Sequence, residues 1–400
     1  MAGEGNVMQF SMWTYPWDVQ DLTADRVVGE LEECGCTTIS LAISYHAGHF
    51  LQPRSPYRKS YFPQDGTIYF EPRPALWADA PIQPLVARIV RDGNDVLADL
   101  IRRRDAGGLA VSCWTVCLHN TRLGLLHPGA VTRNAFNDPN IFNLCPSHPH
   151  VRHYVRTLVR DLSEQYRPDA IELESLGFMG FVHGFHHEKD GVGLTAEDDF
   201  LLSLCFCPAC TARATAAGLD VERARITVRR WIIDACEREF PAPRWPEFPD
   251  LGIDVFRNHP EVYDFLLWRF EPVTSLVAET RSEAAPETKI HLIDLKDGWR
   301  GGCDIGATAQ ACDGAIVCGY DMTPTGIHAL LAGARSRIGT KFLGTGFRLF
   351  YPEMSGAADV AARVMAAVQA GAERINFYNY GLIPAARLAW VRHAIEAAKT

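Results

Sequence analysis

The chain has 400 residues, of which 47% are hydrophobic, and a formal net charge of −9 at pH 7. That apolar fraction, in a chain of this length, is enough to build a large core. The 39 basic residues are scattered along the sequence, which argues against nucleic acid and against an anionic membrane surface as partners. The longest apolar stretches are strand-sized, so we expect no membrane-spanning segment.

Two further features bear on the cellular compartment. Residues 1–6 are small and polar and precede no long apolar run, so we expect no secretory signal. Many of the 12 cysteines lie in apolar segments, for example Cys113, Cys117 and Cys318. In a chain this long, that pattern predicts a cytoplasmic, reducing compartment with one metal cluster among buried thiols. The sequence leaves the oligomeric state, monomer or homo-oligomer, open.

Strand-like and helix-like segments alternate from residue 7 onwards, which is typical of a parallel sheet covered by helices. The third helix has the clearest pattern, because apolar residues recur at helical spacing from Val151 to Leu162 and Pro168 lies just past its end. In the first half the predicted strands are 7–15, 37–45, 109–117 and 170–176, the other predicted helices are 24–34 and 95–105, and a proline-rich loop covers 53–84.

The stretch 177–258 is too long for a simple connection, so we expect an insertion subdomain there with helices 196–204 and 221–240. Beyond it the predicted strands are 289–295, 315–320, 342–350 and 374–380, and the predicted helices are 261–282, 307–312, 326–338, 357–371 and 385–399. Eight strand–helix pairs predict a single (β/α)8 TIM barrel over 1–400. A doubly wound open sheet has the same alternation, but no Gly-x-Gly-x-x-Gly turn follows the first strand.

In a TIM barrel the reactive side chains lie where the strands end and the βα loops begin. At these eight positions the sequence has aromatic rings, carboxylates, histidines and asparagines, with little basic charge. Rings beside hydrogen-bonding groups suit a neutral sugar, whose faces stack and whose hydroxyls need partners. A small carbohydrate or glycoside is therefore the expected substrate, and the predicted substrate-binding residues are Trp13, His46, Trp114, His119, Asn120, Tyr320, Arg348 and Tyr378.

Glu172 and Glu174 lie two positions apart on the fourth predicted strand, so their side chains point the same way, into the barrel. Inward carboxylates are costly unless they are paired or functional. We expect the deeper Glu172 to be neutralised by a Lys or Arg of a neighbouring strand. We expect Glu174, nearer the rim, to have a raised pKa and to donate a proton in catalysis.

Glycoside cleavage needs a second carboxylate across the pocket. The candidates are Glu353, which follows the seventh strand, Asp321, which follows the sixth, and Asp294, which ends the fifth. We rank them in that order. Asp321 also has a structural interpretation, as a cap of the next helix.

Cys205, Cys207 and Cys210 have the spacing C-x-C-x-x-C, which can wrap one tetrahedral metal ion. Cys145 is the natural fourth ligand. The alternative is a set of ordinary buried cysteines. Four thiolates would make a closed, structural zinc site that ties the insertion to the loop after the third strand.

The segment 144–149, Leu-Cys-Pro-Ser-His-Pro, resembles a segment of family 42 glycoside hydrolases, the β-galactosidase-like barrels, and of related uncharacterised glycosidase-like barrels. The order Cys145, Glu174 and then the C-x-C-x-x-C is also similar. This resemblance implies Zn2+ at the four cysteines and an acid/base role for Glu174. The family has Asn immediately before that glutamate, where this chain has Leu173, and a glutamate at the end of strand seven, where this chain has residues 348–350, Arg-Leu-Phe.

A glycosidase is therefore the leading functional hypothesis, and two alternatives remain. The loop 183–188 contains His183, His186 and His187. In a sugar lyase or isomerase, His46, His183 or His186 together with Glu174 or Asp294 could hold a catalytic metal. The simpler interpretation is a polar loop whose histidines bond backbone carbonyls. The second alternative is a carbohydrate-binding barrel without catalysis, which the missing glutamate after strand seven favours.

Overall fold

The computed structural model describes residues 8–183, 185 and 187–399. Eight parallel strands form a closed barrel, in which β1 pairs with both β2 and β8. This confirms the predicted (β/α)8 TIM barrel. The strands are β1 (Gln9–Thr14), β2 (Thr38–Tyr45), β3 (Ala110–Val116), β4 (Ala170–Glu174), β5 (Lys289–Leu295), β6 (Gly314–Cys318), β7 (Phe342–Arg348) and β8 (Arg374–Tyr378).

A helix follows each strand and packs its apolar face on the outside of the barrel. The best defined is α3, in which Val151, Val155 and Leu158 are fully buried at helical spacing, as the sequence predicts. The eight helices are α1 (Ala24–Glu33), α2 (Val96–Asp105), α3 (Pro149–Tyr166), α4 (Phe270–Glu283), α5 (Ile305–Ala311), α6 (Pro324–Ile338), α7 (Ala357–Gln369) and α8 (Leu388–Lys399). Within the described part of the chain, none of the helices combines the length and apolarity that a membrane span requires.

The strand register decides which side chains enter the barrel. Glu172 lies level with Trp114 on β3 and with His291 on β5. Alternate residues of a strand face opposite sides. Ile171 and Leu173 therefore pack in the outer core beneath the helices, and Glu172 and Glu174 point inwards.

The connection between β4 and α4 contains additional helices and a core of its own. Phe200, Trp231, Phe256 and Phe265 are buried in this second core. The helices of the insertion are Ala196–Leu202, Pro208–Ala216, Val221–Cys236, Phe248–Leu251 and Pro260–Trp268, with a 3-10 helix at Gly252–Phe256.

Short elements complete the fold at the loop end of the barrel. Two hairpins and two extra strands lie in the loops after β2 and β3: Phe50–Leu51 with Ser60–Tyr61, Val131–Arg133 with Pro139–Leu144, Thr67–Ile68 and Leu85–Val86. The remaining short helices are Pro16–Leu22, Pro74–Trp77, Arg88–Arg91, Thr121–Leu126, Gly298–Gly301, Tyr380–Leu382 and Ala385–Arg387.

One long predicted helix is divided in the structure. The predicted helix 261–282 is two helices, Pro260–Trp268 and Phe270–Glu283, separated at Arg269. The Arg269 side chain is 2% exposed, donates a hydrogen bond to the carbonyl of Arg300 and lies over the ring of Phe178. The loop after β5 thus binds the Arg269 side chain at the position where the two helices meet. The predicted N-terminal features at residues 1–7 lie outside the described residues.

Candidate active site

Glu172 lies at the centre of the barrel with its side chain fully buried. It forms an ion pair with Arg374, with 3.1 Å between Oε1 and a guanidinium nitrogen. Its other oxygen accepts hydrogen bonds of 2.8 Å from the Trp13 indole and from the Ser40 hydroxyl. The expected neutralisation of Glu172 is confirmed, although the arginine comes from β8, across the barrel, and not from an adjacent strand.

Glu174 is one layer nearer the loops and has a different environment. Its carboxylate accepts a hydrogen bond from the indole nitrogen of Trp114. Burial raises the pKa of Glu174 above its usual value, the charge of Glu172 raises it further, and the Trp114 donor opposes both effects. Glu174 is therefore a carboxyl that tends to keep its proton and that faces open space.

That space is a cavity of about 340 Å³, which we call the Glu174 cavity. Besides Glu174 it is lined by Tyr320, His183 and Asp294. Asp294 ends β5 and is 8% exposed, and its burial raises its pKa to about 7. A side chain at Gly298 would place a Cβ 1.7 Å from Oδ1 of Asp294, so the close approach of this loop to the carboxylate requires glycine. A half-buried carboxyl, Glu174, and a buried one, Asp294, thus line one cavity.

The aromatic rings of the barrel mouth pack against one another and expose little surface. Trp13 is 1% exposed and Trp114 is 3% exposed, and their indole groups are hydrogen-bonded to Glu172 and Glu174. Tyr378 donates to or accepts from Tyr15 over 2.7 Å between the two hydroxyl oxygens. The structure thus differs from the prediction that Trp13 offers a face to the substrate, because its ring is enclosed.

Asn120 also differs from its predicted role. It is 2% exposed, its side-chain oxygen accepts from the Leu123 amide, and its amide donates to the Gly66 carbonyl. It caps the helix Thr121–Leu126 and anchors the neighbouring loop. A side chain with both groups engaged in this way is structural.

The two carboxylates ranked first from the sequence are not among the residues that line the Glu174 cavity. Glu353 forms a two-contact ion pair with Arg348, at 2.5 and 2.8 Å, and the Arg348 guanidinium lies 5.0 Å from the ring centre of Tyr320. Asp321 is exposed on a turn, and the cap of α6 is the Thr323 side chain instead. The position of Asp294 near the end of a strand does not reveal that the loop at Gly298 folds over it.

The predicted histidines His46 and His119 do lie together, and His183 joins them. The ring centres of His46 and His119 are 4.1 Å apart, and those of His119 and His183 are 4.6 Å apart. Burial lowers the pKa of His46 to about 4 and that of His119 to about 2, so both rings are neutral at pH 7. His187 is exposed, and His186 lies outside the described residues.

The four predicted cysteine ligands come together. Cys145 lies 3.4 Å from Cys207 and from Cys210 between sulfur atoms, and 4.0 Å from Cys205. All four are buried, and among the described residues they are the one group of His, Cys, Asp or Glu ligand atoms lying within 4.8 Å of one another. A tetrahedral Zn2+ with bonds of about 2.3 Å spaces its sulfur ligands by about 3.8 Å, so these thiols fit such an ion. The cluster joins the loop after β3 to the insertion, as predicted.

The fold is similar to that of several solved structures. The glycoside hydrolase domain of PgaB (BpsB) from Bordetella bronchiseptica matches with a TM-score of 0.59 and 11% identity, over 96% of this chain and 98% of that one. The catalytic domain of β-amylase from Paenibacillus polymyxa matches with a TM-score of 0.57 and 11% identity, over 98% of both chains. A β-galactosidase from Marinomonas ef1 matches with a TM-score of 0.54 and 11% identity, over 98% of this chain and 59% of that one.

No protein-family model matches the sequence, and no curated protein matches it. Identities of 11% show a shared fold and leave the resemblance to family 42 a prediction.

Proposed function

We propose that the chain is a glycoside hydrolase in which Glu174 donates a proton to the leaving oxygen. The observation that carries this proposal is the pair of environments on β4: Glu172 is locked in an ion pair, whereas Glu174 faces a cavity with a raised pKa. A carboxyl whose pKa is raised by burial holds its proton to higher pH, which suits general acid catalysis. The donor position at the end of a barrel strand is where catalytic groups of this fold lie.

The second carboxylate in this proposal is Asp294, since it lines the same cavity as Glu174. As the C1–O bond breaks, Glu174 gives its proton to the departing oxygen. In a retaining reaction Asp294 bonds to C1 as that bond breaks, and a water deprotonated by Glu174 then cleaves the C1–Asp294 ester. In an inverting reaction Asp294 takes a proton from the water that attacks C1. Glu353 and Asp321, the candidates ranked higher from the sequence, are the alternatives; the ion pair of Glu353 with Arg348 and the exposed position of Asp321 favour Asp294 over both.

A neutral carbohydrate is the proposed substrate. Tyr320 and His183, which line the cavity, offer a ring face and hydrogen-bonding groups to such a ligand. The predicted His119 packs against His183, and His46 packs against His119, so these two support the lining ring. Trp114 and Tyr378 position these groups from within the packed mouth. The names of the three similar structures, a glycoside hydrolase domain, a β-amylase and a β-galactosidase, agree with this substrate class.

The four cysteines are proposed to hold one structural Zn2+. Backbone amides of Arg133 and Cys210 point at the sulfurs of Cys205 and Cys207, at 3.4 and 3.5 Å, as amides do towards thiolates. Four protein ligands leave no open position, so this ion would not take part in hydrolysis. The order of these cysteines around Glu174 is also the feature that resembles family 42.

Carboxylate variants test the proposal. Hydrolysis of a panel of aryl glycosides and disaccharides is measured for the wild type and for Glu174→Gln, Asp294→Asn, Glu353→Gln and Asp321→Asn. We expect the first two to lose 10²- to 10⁴-fold in kcat/KM, the range that general acid–base catalysis contributes, and Asp321→Asn to keep wild-type activity. Full activity of a folded Glu174→Gln variant would refute the proposal, and loss with Glu353→Gln but not with Asp294→Asn would reassign the second carboxylate.

A further inference from the structure

A second, larger cavity of about 650 Å³ lies beside the Glu174 cavity, and we call it the insertion cavity. Its wall includes Phe142 from the hairpin after β3, and Phe181 and Asp199 from the insertion. Phe181 is 45% exposed. An exposed large ring in a cavity of this size is typical of a ligand site, and the proton-donor mechanism makes no use of it.

The two cavities share a wall. Met179, Gly180 and His183 line the Glu174 cavity, and the intervening residues Phe181 and Val182 line the insertion cavity. His183 stacks on Phe142 with 5.3 Å between ring centres, so one ring pair connects the two spaces.

That ring pair belongs to a continuous series of rings that begins at the donor to Glu174. Consecutive ring centres in this series lie 5.1, 4.4, 4.1, 4.6 and 5.3 Å apart. The series is Trp114, Tyr45, His46, His119, His183 and Phe142. Trp114 and Tyr45 are buried, and His46 is stacked between Tyr45 and His119, so the series forms a continuous packed wall from the reacting carboxyl to the insertion cavity.

The polar groups of the insertion cavity point to a ligand that donates hydrogen bonds. The side-chain oxygen of Asn140 is buried there without a hydrogen-bond partner. Such an oxygen is costly unless a ligand or water supplies a donor. Four carboxylates and two cations line the cavity, so an anionic ligand is disfavoured and a hydroxyl-bearing or amino-bearing one is favoured.

We propose that the substrate is an oligosaccharide chain without acidic groups, and that the insertion cavity holds its sugar units remote from the bond cleaved at Glu174. The orientation of the oligosaccharide, with its cleaved bond at Glu174, rests on the proposed function. Its binding at the remote end rests on the insertion cavity alone. The chain then makes its remote contacts with Phe181, which lines the insertion cavity and not the Glu174 cavity.

Binding tests the inference without requiring hydrolysis. On a Glu174→Gln background, which prevents consumption of the ligand, calorimetry measures Kd for maltohexaose, cellohexaose, xylohexaose and chitohexaose and for the matching disaccharides. We expect at least one hexasaccharide to bind ten-fold or more tightly than its own disaccharide. Adding Phe181→Ala should reduce this ratio to about one. The control Phe240→Ala should preserve it, because Phe240 is an exposed ring of the insertion that is not among the residues lining the cavity. Hexagalacturonate should bind more weakly than the preferred hexasaccharide.

Three results would overturn the inference: equal affinity for long and short ligands, an unchanged ratio in Phe181→Ala, or no binding of any hexasaccharide. Hydrolysis by the wild type without a preference for longer substrates would refute this inference and support the proposed function. Tighter binding of longer ligands without any hydrolysis would support this inference and refute the proposed function.

Discussion

Two glutamates on one strand show how the environment sets the role of a carboxyl. Glu172 has an arginine, a hydroxyl and an indole as partners, and these fix it as a charged structural group. Glu174, two residues on, has one indole donor and a cavity. Different environments can give two neighbouring carboxyls different pKa values. A protein can then use one of them as an acid and the other as a structural group at the same pH.

Trp114→Phe should move the pH dependence of hydrolysis. The indole stabilises the charged form of Glu174, so its removal raises the pKa of that carboxyl. A general acid must be protonated, so the alkaline limb of the kcat/KM profile should shift to higher pH. Trp17→Phe is the matched control, because the Trp17 indole nitrogen is equally buried but has no partner. An unshifted limb in Trp114→Phe would show that Glu174 is not the titrating acid.

Asp294 should make the protein less stable as the pH rises. Its pKa in the folded state is about 7 and its ordinary value is 3.8, so the folded state holds the proton more tightly. Its contribution is therefore complete below about pH 4 and is lost as the pH rises to about 7. Between pH 5 and pH 8, the unfolding free energy of Asp294→Asn should decrease less than that of the wild type. The difference, measured by urea titration, should be on the order of 2 kcal/mol. The exposed Asp321→Asn should leave that slope unchanged; an equal slope in both variants would contradict the assignment.

At the residue scale, the sequence predicted the direction of side chains where strand periodicity alone determines it. Glu172 and Glu174 point inwards because of the two-residue period alone. The environment of Asp294 depends on the loop at Gly298, and the enclosure of Trp13 depends on rings from four other strands, so neither could be predicted from local spacing. The exposure of Phe181, in the loop after β4, depends on how the insertion folds and could not be predicted from the sequence.

At the scale of elements, the cysteine cluster fastens the insertion to the barrel. Cys145 follows the hairpin after β3, and its three partners lie in the insertion, one of them as the cap of the helix Pro208–Ala216. The spacing C-x-C-x-x-C predicted this contact across 60 residues, because few other arrangements satisfy three close thiols. The break at Arg269 could not be predicted, since the pattern of apolar residues continues through it.

Cys145→Ser should release the metal and destabilise the insertion. Mass spectrometry of metals should find one zinc per wild-type chain. Mild chelation should remove neither this zinc nor the hydrolytic activity. In Cys145→Ser the zinc should be lost and the melting temperature should fall by on the order of 10 °C, because a structural metal contributes directly to folding. The exposed cysteine variant Cys236→Ser is the control and should keep both. A wild type without metal would refute the zinc site.

For the whole molecule, the pair of Glu172 with Arg374 joins β4 to β8 across the barrel. Glu172→Gln leaves the arginine, whose side chain is 6% exposed, without its counter-charge, and should reduce the unfolding free energy by about 3–5 kcal/mol in urea. Glu353→Gln breaks a half-exposed pair at the rim and should cost about 1 kcal/mol or less. An equal loss of unfolding free energy in the two variants would show that the Glu172–Arg374 pair does not specifically stabilise the closed barrel.

The order of the whole fold could be predicted because eight strand–helix pairs in sequence leave few arrangements of a parallel sheet. The positions of the strands followed from their apolar, β-branched composition, and β5 begins and ends where the sequence indicated. The two cavities could not be predicted, because each is enclosed by segments far apart in the chain, for example Phe142 and Asp199.

The leaving-group dependence of Glu174→Gln tests the central claim most directly. Protonation matters for a poor leaving group and not for a dinitrophenolate, so the account predicts a loss of 10²- to 10⁴-fold in kcat/KM on alkyl or phenyl glycosides and little loss on the dinitrophenyl glycoside of the same sugar. An equal loss on both substrates, or none on either, would contradict the role of Glu174 as the proton donor.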